Sequence, residues 1–173
     1  SATYLKGKIF DIVDPYQTVT NNTYLSYTTD WPIGNQYMRS EMMTRGRKIT
    51  FNAFGDFNYA GGNPGELTRF YFNALDTGDV AICPNLAMTG IYCTGASSWV
   101  YEGSVVFSET KYNSYAKLEL KNANSDSPRI MVSSYSGNIS ALTSGYVDLA
   151  VKYNITGSAA GRLNIQNTAI SID

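Results

Sequence analysis

A chain of 173 residues with 13 Lys and Arg against 14 Asp and Glu has the size of one domain and no basic surplus, which argues against a nucleic-acid partner because such partners demand a clustered cationic face. Charged residues make up only 16% of the chain, and 14 Tyr together with many Asn, Ser and Thr supply the polar surface instead. No apolar run approaches the roughly 20 residues of a membrane-crossing helix, and the start SATYLKGKIF lacks the apolar core of a signal peptide, so the expectation is a mature or trimmed chain without membrane insertion.

In chain order, KGKIFDIV (6–13) and QYMRSEMM (36–43) are short strand candidates. Between them TTDWPIGNQY (28–37) gathers Asp30, Trp31, Asn35 and Tyr37 around a Pro and a Gly, as a loop does. KITFNAF (48–54) alternates apolar and polar residues with period two and predicts a strand. The Gly-, Asn- and Pro-rich FGDFNYAGGNPGE (54–66) then predicts a loop carrying Asp56, Asn58, Tyr59 and Asn63. This loop is a poor calcium site, since Ala60 and Leu67 occupy the fifth and twelfth ligand places counted from Asp56. TRFYFNA (68–74) and DVAIC (79–83) are the next predicted strands.

ICPNLAMTGIYC (82–93) holds the only two cysteines, Cys83 and Cys93. With no His and no third Cys a zinc site lacks ligands, and a spacing of nine intervening residues is not that of a catalytic dithiol. A disulfide between Cys83 and Cys93 is the expectation, with Pro84 and Gly90 letting the chain reverse between them. It would place the protein outside the reducing cytosol, secreted or at the cell surface. Two buried free thiols are the alternative.

WVYEGSVVFS (99–108), YAKLEL (115–120), PRIMVSS (128–134), GYVDLAVKYNI (145–155) and RLNIQNTAISI (162–172) complete the predicted strands. In the last, Leu163 and Ile165 share one phase while Ile170 and Ile172 share the other, which predicts a bulge near Gln166 and Asn167. NANSDSP (122–128), YSGN (135–138) and NITGSAAG (154–161) read as turns. No segment sustains a helical period. The fold class expected is therefore all-β: an antiparallel two-sheet sandwich, immunoglobulin-like or jelly roll, filling 1–173 as one domain.

Without His there is no Ser-His-Asp triad and no common base near neutral pH, and the acids sit mostly beside turn residues, so a non-catalytic protein without metal or cofactor is expected. Sugar sites pair an aromatic ring, which stacks on the apolar face of a pyranose, with acid and amide groups that bind its hydroxyls. Three stretches offer this chemistry: Asp30, Trp31, Asn35 and Tyr37; Asp56, Asn58, Tyr59 and Asn63; and Trp99 with Tyr101 in SSWVYE (97–102). For each of these residues a core or edge-covering role is the competing reading.

The stretch LTSGYVDLAVKYN (142–154), with Gly145 and Tyr146 leading into alternating Val147, Leu149, Val151 and Tyr153, resembles a late strand of chaperone-usher fimbrial proteins, and the chain as a whole resembles the receptor-binding domain of a fimbrial tip adhesin. The resemblance implies a lectin-like domain at the amino-terminal end of a longer adhesin on the bacterial surface. Its partners would be a host glycan or glycoprotein receptor, a periplasmic chaperone, an usher and the adjacent pilin subunit. A disulfide is common in such adhesins, although the close spacing of Cys83 and Cys93 departs from the wide spacing of major pilin subunits. No binding residue of the family maps onto these loops. A viral or phage receptor-binding knob and a carbohydrate-binding module of a secreted glycoside hydrolase are the alternatives.

Overall fold

The computed structural model describes residues 7–12, 17–20, 24–26, 37–39, 45–59, 67–76, 82–84, 86–92, 97–121, 128–141, 146–156 and 161–173, with side chains at 45–56, 82–84, 86, 98–121, 128–141 and 164–173. These residues are all-β apart from a single 3-10 turn at Ile139–Ala141. The strands are β1 (Gly7–Ile12), β2 (Gln17–Thr20), β3 (Tyr24–Ser26), β4 (Tyr37–Arg39), β5 (Lys48–Tyr59), β6 (Leu67–Asp76), β7 (Leu86–Tyr92), β8 (Ser97–Phe107), β9 (Lys111–Lys121), β10 (Arg129–Asn138), β11 (Tyr146–Thr156) and β12 (Gly161–Ile172). The recorded pairings are antiparallel. One set runs β1-β12-β5-β8-β9-β10 with β2 also on β12, and a second runs β3-β11-β6-β7 with β4 also on β11.

The period-two pattern is the physical cause of the longer set. Along β9 every second residue from Tyr112 to Leu120 is buried while those between face out, as a sheet with one dry face requires. Direct partners share a face, so the pairings define rows on the buried side: Ile165, Gly55, Trp99, Leu120; then Thr168, Ala53, Tyr101, Leu118; then Ile170, Phe51, Gly103, Ala116; then Ile172, Ile49, Val105, Ser114. Large residues sit beside small ones: Trp99 beside Gly55, Tyr101 beside Ala53, Phe51 beside Gly103. This alternation fills the layer without collision.

Two glycines are dictated by space. A Cβ on Gly55 would overlap the Asn164 carbonyl and touch the Trp99 ring, and one on Gly137 would overlap the Tyr112 ring. Gly46, in the turn before β5, has φ 87°, a conformation that costs other residues about 1–2 kcal/mol.

Several expectations are corrected. Of the predicted strand 79–83 only Ile82 and Cys83 are described, and they form a bend, because Pro84 lacks an N–H and disfavours regular pairing. The stretch after it, taken as a reversing loop, is strand β7. The turn expected at 135–138 belongs to β10, whose pairing with β9 continues unbroken to Asn138 and Lys111. The Tyr112 ring over Gly137 supplies the packing that glycine cannot. The loop expected from residue 54 begins later, since pairing on both sides by β8 and β12 holds 54–57 in β5 and β12 alone holds 58 and 59. The bulge lies where the phase slip put it: Ile165 pairs with Gly55 and Asn167 with Phe54, leaving Gln166 as the extra residue.

Gly55→Ala is expected to lower unfolding free energy by about 3 kcal/mol, since backbone must move to admit the methyl, against about 1 kcal/mol for Gly46→Ala. Urea midpoints of the two variants at equal slope measure the difference.

Candidate functional site

The predicted site residues that are described lie on strands. Asp30, Trp31, Asn35, Asn63 and Cys93 lie outside the described residues. Tyr37 begins β4 and pairs with Asp148, while Asn58 and Tyr59 end β5 and pair with Arg162 and Gly161. Asp56, Asn58 and Tyr59 thus share one strand with its neighbours set by the ladder.

Trp99 and Tyr101 are corrected: they are 1% and 0% exposed and cannot stack on a ligand. Their odd-numbered phase on β8 is the inward one, shared with Val105 and Phe107. The indole N–H of Trp99 donates to two main-chain oxygens, Asp56 O at 3.1 Å and Asn164 O at 3.2 Å, which satisfies its polar edge inside the core.

On the opposite face of the same strands the bulge builds a polar cluster. The Asp56 carboxylate accepts from Asn164 Nδ2 at 2.5 Å and from Gln166 Nε2 at 3.2 Å. Phe54, two positions back on β5 and therefore on the same face, is 44% exposed and pairs with Asn167 on one side and Val100 on the other. A ring bare to solvent beside an acid and amides is the sugar-binding combination named above, here set on paired strands. Phe54, Asn164, Gln166 and Asn167 are the residues that sequence reasoning missed. The signal was present: Phe54 breaks the inward phase of Ile49, Phe51 and Ala53, and the slip at 166–167 turns amides outward.

The apolar surface continues from Phe54. One outer row runs Asn167, Phe54, Val100, Glu119, Ile130, and the next Ala169, Asn52, Glu102, Lys117, Val132. Apart from Tyr135, the exposed large apolar side chains among the described residues (Phe54, Val100, Val106, Tyr115, Ile130 and Val132) lie on this face. Lys117 stands amid them, 3.6 Å from Glu102 and 3.8 Å from Glu119. These half-exposed pairs contribute little stability, and one cation between two carboxylates leaves the group with one negative charge in excess.

The expected disulfide is not confirmed. Cys83 is a free thiol, wholly buried. Beyond Pro84 the chain runs as β7 from Leu86 to Tyr92, and Cys93 lies outside the described residues. Cys83 Sγ sits 3.3 Å from where a Cβ of Gly103 would be, so the glycine makes room for the sulfur. Burial pushes the thiol up to about 12, and the nearby Ser114 hydroxyl offsets part of this without reaching full hydrogen-bond geometry. Among the described residues no group of three or more metal-binding side chains is gathered.

The folded thiol lies above its ordinary value of 9.0, so its contribution to stability is whole below pH 9. It is expected to fall from there to about pH 12, as the unfolded chain alone releases the proton. Unfolding free energies of the parent and Cys83→Ala across that window should converge as pH rises, and a disulfide-exchange reagent should label Cys83 only after denaturant is added.

Compared with known proteins, the chain matches no protein-family model and no curated protein sequence.

Proposed function

We propose that this chain is a non-catalytic receptor-binding domain with a jelly-roll sandwich fold. Strands β5 and β6, β7 and β8, and β11 and β12 fall in different sets, the alternation of a double Greek key. The connections 93–96 and 157–160 reach at most about 18 Å, enough to join sheets about 10 Å apart. Strand β7 lies beside β9 and β10, and β11 beside β12 and β2. The dry face of β5, β8, β9 and β12 likewise supports a second layer over it.

The observation that carries the binding reading is Phe54, solvent-exposed beside the Asp56, Asn164 and Gln166 cluster. A half-bare phenyl ring in a sheet is a cost in water that a ligand relieves, and an aromatic beside acid and amide groups fits a glycan. The setting we favour is adhesion at a cell surface: the resemblance of residues 142–154 to fimbrial adhesins points to a bacterial tip, with host glycan or glycoprotein as receptor and chaperone, usher and pilin as assembly partners. The strand order favours a second reading, a viral or phage receptor-binding knob, since jelly rolls are frequent in particle shells and lectins.

A glycan array probed with the folded chain is expected to give hits that fall at least tenfold with Phe54→Ala and with Asp56→Asn, far-UV circular dichroism being unchanged. Loss of one ring–sugar or one charged hydrogen-bond contact of about 1.5 kcal/mol has that size. An array blank for host and microbial sugars alike refutes the glycan reading and leaves a protein receptor on the same face.

A further inference from the structure

We infer that β10 is a self-association edge, pairing with β10 of a second copy of this chain to make one continuous sheet. Strand β10 is bonded to β9 through ten consecutive partners without a bulge, so its other edge carries an equally regular row of N–H and C=O groups. Among the described residues no strand pairs with that edge. Both faces of β10 are bare along most of its length, and Ile130 and Val132, at 55% and 62%, are the most exposed large apolar side chains described.

Monomeric proteins blunt such edges with Lys, Pro, bulges or brevity. From Ile130 to Asn138 the strand has none of these and no charge at all; Arg129 at its start is the single ionic residue. That composition selects the occupant. A strongly charged partner finds nothing to pair with, whereas a second copy meets no like-charge repulsion, and an antiparallel strand is its own complement about a two-fold axis. With the axis normal to the sheet, outer faces stay on one side, and a ladder centred on Ser134 sets Ile130 opposite Asn138 and Val132 opposite Ser136 of the other copy, covering both apolar side chains while the Lys117 pairs with Glu102 and Glu119 stay on the neighbouring strands of each. The inference rests on burial and pairing alone, and is independent of which receptor the domain binds.

Sedimentation velocity of the intact chain from micromolar to near-millimolar concentration tests it, with amide exchange read in parallel. The expected result is a two-chain species in which exchange across 129–138 slows on association. Val132→Lys or Ile130→Lys, each at an exposed site and checked for folding by circular dichroism, should return single chains with glycan binding unchanged. Single chains at every concentration, an assembly that neither variant perturbs, or protection that omits 129–138 would overturn it.

Discussion

One indole group organises the central strands. Trp99 reaches from β8 across β5 to β12, and its N–H is shared between the main-chain oxygens of Asp56 and Asn164. A large ring fits there only because Gly55 beneath it has no side chain. Asn164 lies two residues before the bulge at Gln166. Glycine and tryptophan are therefore one device, and replacing either leaves an overlap or a void in a dry interior. The other inner rows use the same large-beside-small rule with less at stake, as where Gly103 admits Cys83.

The consequence on the far side of the sheet follows from parity. A bulge adds one residue, so side chains that would alternate in and out are pushed outward together. Here Gln166 and Asn167 are turned outward together, and Gln166 joins Asn164, two positions back on the same face, at the Asp56 carboxylate, whose own carbonyl is held by the indole within. The outer polar cluster and the inner anchor share Asp56 and Asn164, which places the acid and amides on a rigid frame rather than on a loop. Rigid presentation lowers the entropy that a ligand must overcome, and it distinguishes this arrangement from one in which the loops do the recognising.

How far the sequence was legible depended on whether one residue's surroundings decided its role. The long strands β5, β8, β9 and β12 were readable because burial of one face imposes period two over many residues, and even the bulge showed as a slip of phase between Ile165 and Ile170. Strands β2 and β3 are too short for a period to register. Strand β7 was hidden by its flanking cysteines, which invited a covalent loop, and LAMTGIY shows no clean alternation because its pairing with β6 slips between Met88 and Ile91. Trp99 and Tyr101 were misjudged for a related reason: composition says that an aromatic beside polar residues can bind a ring, but only the shared phase with Val105 and Phe107 says which way it points. Phe54 is the converse, an aromatic hidden in an apolar word whose phase turns it outward.

The two ends of the long sheet differ in a way that bears on what each can do. Around β12 and β5, ladders on both sides and the Trp99 anchor hold the backbone on either side of the extra residue Gln166, so the surface there changes chiefly by its side chains. At β10 one ladder and the contacts of Tyr135 with Tyr112, ring centres 6.1 Å apart, are what hold a strand whose faces meet water. Such a strand is held by pairing rather than by burial, and its local opening costs less than that of β8 or β9, each paired on both sides and buried on one face. Surface chemistry that needs fixed geometry therefore belongs at the β5 end, and recognition through the main chain, which tolerates small displacement because it is repeated along ten residues, belongs at the β10 end.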